Sequence, residues 1–180
     1  ETGLVLCETN GGCLPFEVAE ITAETCDIFK DSIIGIHCHN DSGCAVANTV
    51  AAVQAGAEHV QGTYLGYGER CGNANLSTII PNLQIKLGYN CVPEKNLERF
   101  TRTARWISEV ANQPLYRGMP YVGGSAFSHK AGMHIDAVTK ESSSFEHVAP
   151  GSVGNERRFL MSEVAGRGTV LKKIQKIAPV

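Results

Sequence analysis

Two histidines lie two residues apart at the end of a short apolar run. His37 and His39 follow the run 33–36, and Cys38 lies between them. Because side chains alternate faces along a strand, a strand here would direct both imidazoles to one face and Cys38 to the other. Two imidazoles on one face can bind a divalent metal ion. Two surface histidines at a strand end are the simpler interpretation of the same spacing.

A glycine-rich segment follows the next apolar run. It contains Gly66, Gly68, Glu69, Arg70, Gly72 and Asn73. Glycines let a ligand approach the backbone closely, and backbone N–H groups together with Arg70 can hold phosphates or a thioester. An ordinary tight turn before a helix would use the same residues. Asn73 is then either a side chain of the site or the N-cap of that helix.

Other polar residues offer weaker signals. His134 and Asp136 can form a general acid–base pair, and a histidine that simply bonds to a turn carboxylate would have the same spacing. Cys44 or Cys71 could act as a nucleophile paired with a histidine, but neither has a local sequence signature for that role.

The composition is typical of one soluble globular domain. The 180 residues are 43% hydrophobic and 19% charged, with a net charge of −2 spread along the chain. This pattern argues against a nucleic-acid or membrane surface, and no apolar run approaches the ~20 residues of a membrane span. The seven cysteines are irregularly spaced and include no C-x-x-C pair. We therefore expect reduced thiols and a cytoplasmic protein.

Strand and helix patterns alternate through the first half of the chain. Apolar strands are predicted at 4–7, 33–39 and 59–64, and helices from Pro15, over 44–54 and over about 76–87. Val18, Ile21 and Ile28 are expected to supply the contacts of the first helix. Near-continuous apolar strands separated by helices predict parallel β/α units, whose chemistry lies at the carboxyl ends of the strands.

The pattern changes after Asn90. A helix begins near Pro93 with an apolar stripe, a Gly- and Pro-rich linker covers 114–124, and 159–177 is predicted to be helical. Three β/α units are too few for a closed barrel of eight strands and ~250 residues. We therefore expect an α/β fragment of a longer enzyme. Residues 1–92 would be the last three β/α units of a TIM (β/α)8 barrel, and residues 93–180 a mostly helical linker subdomain.

The order of these motifs resembles a known family. The segments 37–41 (HCHND) and 66–76 (GYGERCGNANL) resemble the Claisen-condensing acyltransferases of the DRE-TIM metallolyase group, which includes 2-isopropylmalate, homocitrate and citramalate synthases. The segments 6–15 (LCETNGGCLP) and 147–158 (HVAPGSVGNERR) look most like the citramalate branch. The resemblance implies condensation of acetyl-CoA with a 2-oxo acid, pyruvate for this branch, followed by thioester hydrolysis, in isoleucine or leucine biosynthesis.

The resemblance also implies roles for single residues. His37, His39 and Asn73 would bind a divalent ion (Zn, Mn, Mg or Co), and Thr9 would contact the substrate carboxylate. Gly66, Gly68, Glu69, Arg70 and Gly72 would lie near acetyl-CoA. His134 would be the catalytic histidine, which in this family reaches the active site of the partner subunit and so implies a homodimer.

Three departures from the family pattern matter. Glu8 replaces a more usual aspartate and could shift Thr9, and Phe145 stands where the branch often has tyrosine. The strand that supplies the family's aspartate ligand and an oxyanion-stabilising arginine is not in this sequence. The hypothesis is therefore that the isolated chain is catalytically inactive and binds metal weakly. The alternatives are a 2-isopropylmalate or homocitrate synthase, a lyase of the same superfamily and a non-catalytic module. The lyases carry a cysteine–proline loop where this chain has the Gly66–Gly72 loop.

Overall fold

The computed structural model describes residues 3–130, 141, 143, 145–160 and 174. The chain divides into two compact units, Glu1–Val92 and Pro93–Val180. In the described parts of the chain, no helix has both the length and the apolar character needed to cross a membrane.

The first unit is a parallel three-stranded sheet with helical connections. Strand β2 lies in the centre, and β1 and β3 both pair with it in parallel, with Gly3 opposite Ile33 and Gly35 opposite His59. Strands and helices alternate as predicted. The elements in chain order are β1 (Gly3–Glu8), α1 (Pro15–Ile28), β2 (Ile33–Cys38), α2 (Ala45–Gln54), β3 (His59–Gln61) and α3 (Leu76–Pro81).

Helix α1 begins where the sequence predicts. Pro15 occupies its first turn, and the Glu17 carboxylate accepts a hydrogen bond from the Leu14 N–H at 2.8 Å. Val18 is buried as expected. The expectation for Ile21 and Ile28 is wrong, because their side chains are 48% and 65% exposed.

The core of this unit lies between the sheet and its helices. Small residues on α2, among them Ala45 and Ala52, are fully buried and let the helix approach the strands closely. Asn48 is also buried on α2, and its amide donates to the Cys13 carbonyl at 2.9 Å. This bond fixes the turn after β1 against the helix that follows β2. The core cluster comprises Val18, Ile36, Cys38, Ala45, Ala52, Val53, Ala57, Ala74, Ile79 and Leu83.

The segment predicted to be one helix over 76–87 changes its helix type at Pro81. It is α-helical only to Pro81 and continues as a π-helix over Asn82–Lys86. Proline has no N–H to donate within a helix, so the hydrogen-bonding pattern changes around it.

The described residues of the second unit form two short α-helices, a 3-10 turn over Pro150–Val153 and a small parallel strand pair. Helices α4 (Glu94–Leu97) and α5 (Phe100–Val110) replace the single helix predicted after Pro93. The Thr101 hydroxyl, buried on α5, donates to the Val153 carbonyl at 2.8 Å. Strands β4 (Ser128–His129) and β5 (Arg158–Phe159) pair in parallel, so Phe159 lies in a strand and not in the predicted helix. Almost all of that predicted helix lies outside the described residues.

Candidate functional site

The carboxyl ends of the three strands are joined by backbone hydrogen bonds. The His39 N–H donates to the Glu8 carbonyl at 3.1 Å, which links the ends of β2 and β1. The Ala74 N–H donates to the Cys38 carbonyl at 2.9 Å, and the Asn40 N–H donates to the Gly72 carbonyl at 3.0 Å. The segments that contain Thr9, His37, His39 and the loop 66–73 therefore meet at one edge of the sheet.

His37 and His39 are arranged as the alternation of strand side chains predicts. Their ring centroids are 5.4 Å apart with an angle of 61° between the planes. Cys38 is fully buried in the core on the opposite face, where burial raises the pKa of its thiol to about 11. Cys38 is therefore a core residue, and the two imidazoles share the other face.

Asn73 lies beside His39 and is not the helix cap. The two residues form an isolated antiparallel β-bridge, and the Asn73 amide donates to the Tyr67 carbonyl at 3.0 Å. The N-cap of α3 is Asn75, whose side chain accepts from the Ser77 N–H. This assignment excludes the N-cap role for Asn73.

Two buried atoms at this position have no hydrogen-bond partner. They are Nδ1 of His39 and Oδ1 of Asn73. Oε2 of Glu8 at the end of β1, and side-chain oxygens of Asn48 on α2 and Thr78 on α3, also lack a partner. Buried polar atoms in proteins nearly always have a hydrogen-bond partner, so these two atoms require an explanation. An imidazole nitrogen and an amide oxygen are both ligands of divalent cations.

These residues fit part of a metal site. The described residues include no group of three or more His, Cys, Asp or Glu side chains that could hold an ion. Two imidazoles and one amide oxygen therefore make an incomplete ligand set, since divalent ions take four to six or more ligands. The chemistry of the set suits zinc, manganese, magnesium or cobalt.

The loop between Gly66 and Asn73 is folded tightly on itself. The Asn73 N–H donates to the Gly66 carbonyl at 3.0 Å, and the Gly72 N–H donates to the Glu69 carbonyl at 2.8 Å. A Cβ at Gly68 would lie 2.2 Å from the Asn73 amide nitrogen. Glycine is thus required at residue 68 by the close approach of Asn73, which is a physical reason for part of the glycine pattern.

Arg70 makes contacts that sequence analysis missed. Its guanidinium donates to both carboxylate oxygens of Asp41, at 2.8 and 3.0 Å, and to the Thr9 carbonyl at 2.6 Å. These hydrogen bonds hold the pKa of the Asp41 carboxyl below its usual range. The partners lie on separate β/α connections, so no local sequence pattern could have identified them.

Glu8 and Thr9 have different surroundings at the end of β1. One Glu8 carboxylate oxygen accepts the N–H groups of Gly12 and Cys13 at 2.8 and 3.3 Å. The residue that departs from the family pattern therefore holds the turn that follows β1. Thr9 is exposed, and its hydroxyl donates to the Cys7 carbonyl at a long 3.4 Å. The Thr9 hydroxyl is thus accessible to a ligand.

The remaining predicted residues are only partly described. His134 and Asp136 lie outside the described residues. Cys71 is exposed, and the Cys44 thiol contacts the Ser42 carbonyl at 3.7 Å. Phe145 is 46% exposed.

The second unit contains a buried charge cluster that sequence analysis also missed. The Glu146 side chain is only 2% exposed, and one of its oxygens lies 2.9 Å from Nε2 of His129. Arg157 donates to the same oxygen from its Nε at 2.7 Å, and to the other oxygen from a terminal nitrogen. The cluster therefore ties β4 to the residue before β5.

The chain matches two family models and several curated proteins. Residues 2–107 match the HMGL-like model, and residues 121–178 match a model described as homocitrate synthase post-HMGL domain-like. The chain is 52% identical over 173 residues to the (R)-citramalate synthase of Aquifex aeolicus and 51% identical over 179 residues to that of Synechocystis sp.. Each comparison covers 96% of this chain and 33% of the relative. The chain thus spans about a third of the length of the curated relatives it matches.

A solved structure shows the same fold. The HMG-CoA lyase of Bacillus subtilis superimposes with a TM-score of 0.53 at 27% sequence identity. The match covers 63% of this chain and 39% of that protein.

Proposed function

The chain belongs to the HMGL-like family, and from this membership we propose that it forms part of a metal-dependent acyltransferase that condenses acetyl-CoA with a 2-oxo acid. The observation that carries the proposal is the pair of buried, unpartnered atoms, Nδ1 of His39 and Oδ1 of Asn73, at the strand ends beside His37. Such a pair suits a divalent cation. The remaining ligands would come from parts of the longer enzyme outside this sequence.

Pyruvate is the proposed 2-oxo acid, and citramalate the product. The support is the 52% and 51% identity to two (R)-citramalate synthases. The chain spans only a third of their length, so 2-isopropylmalate and homocitrate synthesis are the alternatives. A lyase of the same superfamily is a further alternative, because the Bacillus subtilis structure is an HMG-CoA lyase.

A bound divalent ion would act as a Lewis acid on the ketone of the 2-oxo acid. His37, His39 and Asn73 would hold it at the carboxyl ends of the strands. The Thr9 hydroxyl would donate a hydrogen bond to the substrate carboxylate and so orient the ketone carbon. His134 would transfer a proton at its imidazole during the condensation.

The loop of Gly66, Gly68, Glu69, Arg70 and Gly72 would lie near acetyl-CoA. The hydrogen bonds within the loop hold its backbone in one compact conformation, which supports a role as a fixed surface beside the thioester. We also propose a homodimer, in which His134 serves the partner subunit's site, and a location in the cytoplasm.

The test is a condensation assay of the full-length enzyme. It would be incubated with acetyl-CoA, a divalent metal and either pyruvate, 2-oxoisovalerate or 2-oxoglutarate, and products identified by chromatography. We expect citramalate from pyruvate, lost on chelation and reduced at least ~10³-fold by His37→Ala, since a ligand of the Lewis acid is removed. His59→Gln, an exposed histidine on the neighbouring strand, is the matched control and should keep the activity. Absence of condensation with every oxo acid, or cleavage of a hydroxyacyl-CoA, would contradict the proposal.

A further inference from the structure

We propose that the Asp41–Arg70 ion pair is a positioning device that sets the location of Thr9, and through Thr9 the binding of the 2-oxo acid. The inference rests on the proposed function for its substrate, and on the geometry of the strand ends for the device itself. It gives Arg70 a role other than direct contact with acetyl-CoA.

One guanidinium connects the ends of all three β/α units. Arg70 lies in the loop after β3, Asp41 follows β2, and Thr9 follows β1. The Nε and one terminal nitrogen of Arg70 bind the two Asp41 oxygens at 2.8 and 3.0 Å, and the same terminal nitrogen binds the Thr9 carbonyl at 2.6 Å. A bidentate arginine–carboxylate pair fixes direction as well as distance. The Thr9 carbonyl is therefore held relative to the residues that follow His39.

The turn after β1 is shaped to accept the Asp41 carboxylate. A Cβ at Gly11 would lie 2.3 Å from an Asp41 oxygen, so only glycine leaves room for it. Gly11 also has a positive φ of 70°, which favours glycine. Its carbonyl accepts the Ser42 N–H at 2.8 Å. Two segments 30 residues apart in sequence thus fit around one carboxylate.

Arg70 itself has an uncommon backbone conformation. Its φ is +54°, in the left-handed region that costs a non-glycine residue free energy. Such a conformation persists where surrounding contacts determine it. The three hydrogen bonds of the guanidinium are contacts of that kind.

Direct binding of acetyl-CoA by Arg70 predicts different kinetics. If Arg70 acts through Thr9, loss of either Arg70 or Asp41 weakens 2-oxo acid binding. If Arg70 instead binds a phosphate of acetyl-CoA, its loss raises the KM for acetyl-CoA, and Asp41 has little effect. Comparing the two KM values in both variants separates these roles.

The kinetic test uses the full-length enzyme with Asp41→Asn, Arg70→Gln, Arg70→Lys and the double variant. We expect the KM for the 2-oxo acid to rise about 5- to 10-fold in Asp41→Asn and in Arg70→Gln, and the KM for acetyl-CoA to change less than about 3-fold. The double variant should be no worse than Arg70→Gln, because the two residues act as one unit. Arg70→Lys should restore part of the loss. Arg102→Gln, an exposed arginine on α5, is the control and should leave both KM values unchanged. A rise in the KM for acetyl-CoA alone would overturn the proposal. So would additive effects of the two substitutions on the KM for the 2-oxo acid in the double variant.

Hydrogen–deuterium exchange provides a readout that does not need activity. Asp41→Asn should increase exchange in the 9–13 and 66–73 segments together, since the pair joins them, and leave α5 unchanged. If the wild-type enzyme condenses no oxo acid, the proposed function is wrong. The exchange measurement still tests whether the Asp41–Arg70 pair holds the two segments together. Unchanged exchange in either segment would overturn it.

Discussion

At the scale of single residues, His39 and Asn73 distinguish this site from an ordinary strand end. Each has a buried polar atom without a partner, and an unsatisfied buried group costs about 1–3 kcal/mol. A surface pair of histidines would carry no such cost. A bound ion would relieve this cost, so the two unpartnered atoms support our proposal that His39 and Asn73 are metal ligands.

Glu146 leads to a prediction about stability. Its hydrogen bond with Arg157, and then that with His129, keep the pKa of the Glu146 carboxyl below its ordinary value of 4.5. A carboxyl with a lowered folded pKa stabilises the fold above its ordinary pKa and loses that contribution as the pH falls through the lower value. Glu146→Gln should thus cost about 2 kcal/mol of unfolding free energy at pH 7, because Arg157 and His129 lose their charged partner.

The measurement is denaturant unfolding of the full-length enzyme at several pH values. The difference between wild type and Glu146→Gln should shrink as the pH falls below 4.5, the ordinary value of the carboxyl. Glu109→Gln, on the exposed side of α5, is the control. A difference that stays constant with pH would show that the carboxylate charge is not the cause.

At the scale of elements, the sequence was informative about type and less so about detail. Apolar runs and the Pro15 start predicted three strands and the helices between them, and all are present. The strand predicted over 59–64 is shorter than expected, because β3 ends at Gln61 and a 3-10 helix covers Tyr64–Gly66. The π-helix after Pro81 and the break between α4 and α5 were not predicted, because hydrophobic periodicity tolerates a local change in hydrogen bonding. The exposure of Ile21 and Ile28 was not predicted either. The sequence shows that a residue is apolar, but it does not show whether a neighbouring element packs against that residue.

The loop after β3 gives a prediction at this scale. Gly68→Ala would place a methyl group against the Asn73 amide, which is held by the Tyr67 carbonyl, so Asn73 must move. We expect Mn²⁺ affinity of the full-length enzyme to fall about 10-fold, as for loss of groups that orient a metal ligand. Isothermal titration calorimetry would measure it. Gly151→Ala is the control, because no atom lies within 4 Å of the added Cβ. Unchanged Mn²⁺ affinity would mean that Asn73 is not a ligand of the metal.

At the scale of the whole molecule, the partial TIM barrel expected from the sequence is confirmed. The parallel strand order and the match to an HMG-CoA lyase structure both support it. The contacts that organise the site were beyond sequence analysis, since Arg70 and Asp41 lie 29 residues apart and Arg70 and Thr9 lie 61 apart. Such pairs depend on how the strands align, and only the folded sheet determines that alignment.

The proposed dimer leads to a prediction of complementation. Full-length His37→Ala and His134→Ala enzymes should each be inactive. If His134 serves the partner subunit's site, a mixed dimer keeps one intact site, and random mixing should restore about a quarter of the wild-type activity. The measurement is citramalate formation after the two variants are co-expressed. If the co-expressed variants assemble into mixed dimers but form no citramalate, each subunit uses its own His134.

The parallel register of the sheet also bears on how the first unit folds. Gly3 pairs with Ile33 and Gly35 with His59, so each strand pairing closes a chain loop of roughly 25 to 30 residues. The entropy of loop closure is therefore nearly the same for both steps, and each is repaid by the helix that fills the loop. Since every strand finds its partner in the next one along the chain, the sheet grows by successive additions. We therefore expect the folding rate of this unit to depend on ordering one helix and strand at a time, because its strand pairings are short-range in sequence.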